Sequence, residues 1–201
     1  MKYLNGNTIK NLRMTHFNMG SGSNNIALVQ YMVTFKLPDI FGVSETPLTQ
    51  EIIDWVNTTD YNIETKDDNS RVWVLTKCSV VYKRRHDLEP PHLPVIWLEL
   101  GSGKETVLVC NVYREWKSPS HPTLKSDSIP DQLARWNLFL DGWETAAQLD
   151  QEVHVLGDMN LNANYWLQTQ VHDLTQRQAQ NRPVRYYLQP LVDALFLRIM
   201  S

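Results

Sequence analysis

Val153-His154-Val155-Leu156-Gly157-Asp158-Met159-Asn160 is an apolar run that closes on a glycine, a carboxylate and an amide. The run predicts a strand over residues 152–156, ended by the glycine and the polar residues that follow. An acid and an amide then stand where a buried strand opens into a loop. In an α/β protein chemistry often sits there, because the strand fixes the backbone and the loop leaves the side chains open to a ligand. Asp and Asn after a strand are also ordinary turn formers. Polar residues at other, equivalent strand ends would separate the two readings.

Working outward, the preceding segment predicts a helix from Pro130, with Leu133, Trp136, Leu140 and Trp143 as its apolar stripe. A Ser/Pro-rich loop over 117–128 leads into it. Before that loop, residues 71–76, 79–83, 94–100 and 106–113 read as four successive strands rich in Val, Ile and Trp, an antiparallel meander ending in Tyr113-Arg114-Glu115-Trp116. Further upstream, 12–17 reads as a strand broken by Asn18-Met19-Gly20-Ser21-Gly22. Ile26, Val29, Met32 and Val33 then recur at helical spacing behind the capping candidates Ser23 and Asn24. The next strand, 39–43, stops at Ser44-Glu45-Thr46-Pro47, where proline forbids continuation. A helix between two strands predicts a crossover, which sets Glu45 level with Asn18. Ile52, Ile53, Trp55 and Val56 mark a second helix, and Leu188, Leu191, Val192 and Leu195 a final amphipathic one.

Composition narrows the function classes. The 201 residues suffice for one sizeable core, and no linker divides them, so a single domain over 1–201 is expected. Hydrophobic residues at 42% and charged residues at 20% are ordinary for a soluble globular protein. A net charge of −3 gives no global basic footprint for nucleic acid, so any such binding must be local. The dense basic cluster Lys83-Arg84-Arg85-His86 has the charge to contact phosphates, but reads rather as a solvated strand end entering a turn. Cys78 and Cys110 sit in apolar stretches without zinc spacing and read as buried thiols. The first 13 residues lack the apolar core of a signal peptide, and the apolar stretch near 191–200 is too short to span a membrane. An intracellular protein, nuclear or cytoplasmic, with no membrane partner is expected.

Asn18, Glu45, Tyr113, Asp158 and Asn160 all fall at predicted strand ends. As a set they are far more specific than any one of them. Hard divalent cations such as magnesium take oxygen ligands in an incomplete protein cage, and Glu45 supplies the main carboxylate for one. Asp158 is then placed to orient or deprotonate an attacking water, Asn160 to donate to that carboxylate or to a phosphate oxygen, and Tyr113 to donate to a phosphoryl oxygen. His16, two residues before Asn18, reads as a core histidine satisfied by a neighbour.

The order and local sequences resemble the endonuclease/exonuclease/phosphatase superfamily, which includes DNase I, apurinic/apyrimidinic endonucleases, inositol polyphosphate phosphatases and the nuclease domains of non-LTR retrotransposons. Thr15-His16-Phe17-Asn18 is similar to the first family motif and Val43-Ser44-Glu45-Thr46 to the metal-binding glutamate motif. Asn111-Val112-Tyr113-Arg114 resembles the tyrosine motif, and Gly157-Asp158-Met159-Asn160 the GDxN motif. Tyr113-Arg114-Glu115-Trp116 and the run 72–85 look nearest to the retrotransposon branch. The resemblance implies an α/β, DNase I-like sandwich of two mixed β-sheets flanked by helices. It further implies Mg²⁺-dependent cleavage of a phosphoester bond, with Mn²⁺ as the alternative ion, and DNA as substrate. The retrotransposon branch adds a reverse transcriptase partner in a longer parent polyprotein.

The chain also departs from the pattern. Family members end on a Ser-Asp-His segment, whereas the one histidine here after Asn160 is His172, followed by Asp173 in the reverse order. The expectation is therefore a domain incomplete at its C-terminus, missing strands there, with an exposed sheet edge and activity reduced or lost. Two other readings share these residues: a catalytically silent remnant acting at most as a binding module, and a small-molecule phosphatase or phosphodiesterase.

Overall fold

The computed structural model describes residues 12–20, 26–45, 48–68, 71–102, 105–115, 121–126, 128–149 and 151–159. The final helix expected around Leu191, together with Asn160, His172 and the caps Ser23 and Asn24, lies outside the described residues. The elements run β1 (Met14–Asn18), α1 (Ile26–Thr34), β2 (Ile40–Ser44), α2 (Gln50–Val56), β3 (Tyr61–Thr65), β4 (Val72–Lys77), β5 (Tyr82–Arg84), β6 (Val95–Ser102), β7 (Glu105–Tyr113), α3 (Ile129–Gln148) and β8 (Glu152–Asp158).

Two four-stranded mixed sheets form, in the orders β1-β2-β4-β3 and β5-β6-β7-β8. β1 runs parallel to β2 through the α1 crossover, and β7 parallel to β8 through α3. The remaining pairs are antiparallel. Period-2 alternation explains the layering. On β4, Val72 and Val74 join Ile96, Leu98, Val107 and Val109 between the sheets. Trp73 and Leu75 face outward onto Val29 and Val33 of α1 and Ile52 and Val56 of α2. On β7, Leu108, Cys110 and Val112 turn outward to Trp136, Phe139, Leu140 and Trp143 of α3. The result is an α/β sandwich of two mixed sheets with helices on both outer faces. Trp136 is 1% exposed, and truncating such a tryptophan to alanine costs about 3 to 5 kcal/mol.

Local signals fix the helix ends. Ser128 caps α3 by accepting from the Asp131 N–H at 3.3 Å, and Pro130 occupies the first turn, where its missing N–H costs nothing. Thr49 caps α2 through the Ile52 N–H.

Three expectations need correction, and one strand is added. The four successive strands are not one meander, because β4 pairs with β2 and β3 while β5, β6 and β7 form the other sheet. The chain changes sheet in the turn after Lys77, and a strand apolar on both faces reads alike in either sheet. β3 was not expected, since its Asn62 and Glu64 interrupt the apolar signal. Cys78 is exposed in the sheet-changing turn, and Cys110 alone is buried. The arginines of the basic cluster are not solvated. The Arg84 side chain is 10% exposed, paired with Glu64 at 2.9 Å and Glu89 at 2.6 Å, and Arg85 is paired with Asp87 and Glu99.

Candidate functional site

The register brings chosen strand ends together. Asn18 stands beside Ser44 at the C-terminal ends of β1 and β2, and Tyr113 beside Asp158 at the ends of β7 and β8. Asn18 Nδ2 donates to Asp158 Oδ2 at 2.6 Å and thereby joins the two sheets at this end. The other atom of the same amide, Oδ1, accepts from the Gly20 N–H at 2.8 Å. Both ends of the Asn18 side chain are thus fixed. A charge-assisted bond of this length restricts the Asp158 carboxylate strongly.

Gly157 makes the Asp158 position accessible to the chain. Its φ is +136°, and a Cβ there would stand 1.9 Å from the Val112 carbonyl oxygen on β7. Only glycine tolerates both conditions. The segment is then held by Arg114, whose N–H donates to the Asp158 carbonyl at 2.8 Å and whose Nε donates to the Met159 carbonyl at 2.7 Å.

Glu45 follows β2 with φ at +71°, a left-handed conformation that costs an L-residue about 1 to 2 kcal/mol. Its N–H donates to the Arg71 carbonyl at 3.0 Å, and its Oε2 lies beside the Asn18–Gly20 turn, 3.8 Å from where a Gly20 Cβ would be. Strained backbone that the surroundings hold in place is a mark of functional sites. The Tyr113 hydroxyl donates to the Glu45 carboxylate. Burial and that bond push the Tyr113 phenol up to about 12, against the opposing charge of Arg71, so it is a neutral donor at neutral pH.

Arg71 and Glu115 were not singled out from the sequence. The Arg71 guanidinium lies 5.0 Å from the Tyr113 ring centroid, donates to Glu115 at 3.2 Å and reaches the Tyr113 hydroxyl at 3.5 Å. A basic residue opening a strand whose partner strand leads to a site residue was the available signal. His16 is half-buried, with Nε2 3.1 Å from Ser44 Oγ. Burial lowers its pKa, while the charge of Asp158 pulls the other way.

Asn18, Glu45, Tyr113 and Asp158 thus converge on one end of the sandwich, and Asn160 lies outside the described residues. No three His, Cys, Asp or Glu side chains gather into a ready-made metal cage among the described residues. The carboxylates of Glu45 and Asp158 and the amide of Asn18 are all hard oxygen donors. An incomplete oxygen set of this kind fits magnesium or manganese and not a thiophilic ion. Chemically, the arrangement offers one carboxylate for a cation, a second held by an amide, and a neutral phenol between the sheets.

No family model matches the chain, and no curated protein matches it in sequence. Solved structures do. TDP2 from C. elegans is similar at a TM-score of 0.53 and 19% identity over 76% of this chain and 49% of that one. The endonuclease domain of TRAS1, a telomere-specific non-LTR retrotransposon, gives 0.52 and 11% over 77% and 62%. The 3′ phosphatase NExo from Neisseria, bound to a product DNA hairpin, gives 0.52 and 16% over 75% and 58%. The chain spans between about half and three-fifths of the length of these proteins. Two mixed sheets between helices, together with this likeness, give the chain a DNase I-like fold.

Proposed function

We propose that this chain is a divalent-metal-dependent, phosphodiester-cleaving domain that acts on DNA, of retrotransposon endonuclease type. The observation that carries the reading is the convergence of Asp158, Asn18, Glu45 and Tyr113 from four strands of two sheets. Nucleases and a DNA-bound phosphatase among the structural neighbours support it. The retrotransposon assignment draws on Tyr113-Arg114-Glu115-Trp116 and on the likeness to the TRAS1 domain. Such a domain works beside a reverse transcriptase of the same polyprotein, on nuclear or cytoplasmic DNA. Among the described residues no helix is long and apolar enough to cross a membrane.

In this reading Glu45 would hold Mg²⁺, or Mn²⁺ in its place. When bound there, such a cation would offset negative charge on the oxygens of the scissile phosphate. Asp158 orients the attacking water and takes its proton. Asn18 keeps the Asp158 carboxylate in one rotamer through its 2.6 Å bond. Tyr113 stays protonated and holds Glu45 in place, and on substrate binding its hydroxyl turns to a phosphoryl oxygen. Asn160 donates to a phosphoryl oxygen.

The discriminating experiment offers the purified chain supercoiled plasmid DNA and, separately, an inositol polyphosphate, each with Mg²⁺. Nicking of the plasmid without phosphate release from the inositol compound is expected. Phosphate release with intact plasmid would replace the nuclease by a small-molecule phosphatase.

A further inference from the structure

Asn111 is 1% exposed in the row of β7 that faces the opposite sheet, following Val107 and Val109. An amide in such surroundings is costly unless its hydrogens find acceptors. They do: Nδ2 donates to the main-chain carbonyls of Val43 and Trp73, each at 3.1 Å. Val43 on β2 and Trp73 on β4 are register partners. One side chain of one sheet therefore ties two strands of the other. Flipping the amide would set its oxygen against two carbonyl oxygens, so electrostatics allows only the donor orientation. The approach is close. A Cβ at Gly42 would stand 2.4 Å from Asn111 Oδ1, so the sheets meet here because position 42 carries no side chain.

The location of this clasp is what matters for chemistry. Tyr113 lies two residues beyond Asn111, Glu45 two beyond Val43, and Arg71 two before Trp73. Two residues are about 7 Å along a strand. The register continues over that step, since the Glu45 N–H donates to the Arg71 carbonyl. The three residues that meet around the Tyr113 hydroxyl thus each stand one step from the three positions that Asn111 joins.

We propose that Asn111 is a positioning residue that fixes the separation of the two sheets at the site and so holds Glu45 of one within hydrogen-bonding reach of Tyr113 of the other. Its consequence for rate rests on the proposed phosphodiester cleavage; its geometric content does not. The polar tie stands beside the apolar residues Val72, Val74, Ile96, Val107 and Val109 that the two sheets pack together.

The test reads tyrosine hydroxyl protons by NMR at neutral pH in wild type, Asn111→Leu and Gly42→Ala. Leucine has nearly the shape of asparagine and no donor. Alanine at 42 displaces the amide by its Cβ, which would stand 2.4 Å from Oδ1 and 3.2 Å from Nδ2, while Asn111, both acceptor carbonyls and every site residue are retained. Tyr61, which donates to the Pro38 carbonyl at 2.6 Å, and Tyr82, which donates to Glu64 at 2.8 Å, serve as references away from the site. In both variants the Tyr113 hydroxyl signal is expected to shift or be lost to exchange while those of Tyr61 and Tyr82 stay. Plasmid-cleavage kcat falls by roughly tenfold to a hundredfold with little change in KM. An unmoved Tyr113 signal in either folded variant overturns the proposal, as does a parallel change at all three tyrosines, which would mean general loosening. Should Asn111→Leu not fold, Gly42→Ala decides alone. A wild type that cleaves no DNA overturns the proposed function and leaves the hydroxyl comparison to decide the clasp.

Discussion

Asn18 of β1 donates its side-chain amide to the carboxylate of Asp158 on β8 at 2.6 Å, across 140 residues of sequence and from one sheet to the other. The bond fixes the proposed base relative to the strand that leads to Glu45. Replacing Asn18 by leucine removes the donor and lets the Asp158 carboxylate rotate. Cleavage is expected to fall about tenfold to a hundredfold, since a small loss of alignment is enough for that. Single-turnover nicking rates of Asn18→Leu against wild type check it, and equal rates would remove Asn18 from the site.

Glu45 is predicted to be the main cation ligand. Glu45→Gln keeps the shape and removes the charge, so Mg²⁺ affinity measured by calorimetry should fall by at least about tenfold, or 1.4 kcal/mol. Unchanged affinity would assign the ion to other residues.

The left-handed backbone at Glu45, with φ at +71°, predicts a trade of stability against function. Glycine relieves a conformational cost of about 1 to 2 kcal/mol but has more chain entropy to lose on folding, so Glu45→Gly should stabilise the fold by up to about 1 kcal/mol. The same variant should bind no Mg²⁺. Urea unfolding measures the first part, and a lower midpoint for the variant would speak against strain at this position.

Gly157→Ala is expected to be severely destabilising, by about 3 kcal/mol or more, because its Cβ would stand 1.9 Å from the Val112 carbonyl oxygen at a φ of +136°. Neither the β8 backbone nor its β7 partner yields as a flexible side chain would. A soluble variant with wild-type thermal stability would show that β8 has another register open to it.

Asp39 gives a pH dependence. Burial alone would raise its pKa, but bonds from the Lys77 ammonium at 2.6 Å and from the Arg13 N–H at 2.8 Å hold it below the ordinary value of 3.8. With the folded value below the unfolded one, the pairing stabilises fully above about pH 3.8 and is lost as pH falls through the folded value. Asp39→Asn should therefore lose about 1 kcal/mol at pH 7, allowing for solvent screening, and the gap to wild type should narrow as the pH is taken below 3.8. Urea midpoints across that pH range measure this, and a gap that does not narrow in acid would mean that packing rather than charge was lost.

Much of this architecture was legible in the sequence for physical reasons. The β1–α1–β2 crossover shows in the spacing of Ile26, Val29 and Val33 between two apolar runs, and it sets Asn18 and Glu45 at one level. Asp158 is legible because Gly157 closes the apolar run 153–156, although β8 itself continues through Gly157 to Asp158. β3 was hidden because its polar face is spent on partners, Glu64 pairing with Arg84 and accepting from Tyr82. The sheet change after β4 was hidden because Trp73 and Leu75 look no different from Val72 and Val74 until α1 and α2 cover them. Arg84 looked solvated because its carboxylate partners arrive from β3 and from beyond the turn. Asn111 was legible as part of a motif but not as a tie between sheets, since its acceptors are main-chain carbonyls 68 and 38 residues away.

The most direct test of the central claim is nicking of supercoiled plasmid by the purified chain with Mg²⁺, beside an EDTA control and the Asp158→Asn variant prepared identically. The account predicts nicking that EDTA abolishes and that falls by about a hundredfold to ten-thousandfold in a variant of unchanged fold, the usual worth of a positioned base. Nicking at the wild-type rate by Asp158→Asn, or none from folded wild-type protein, would contradict it.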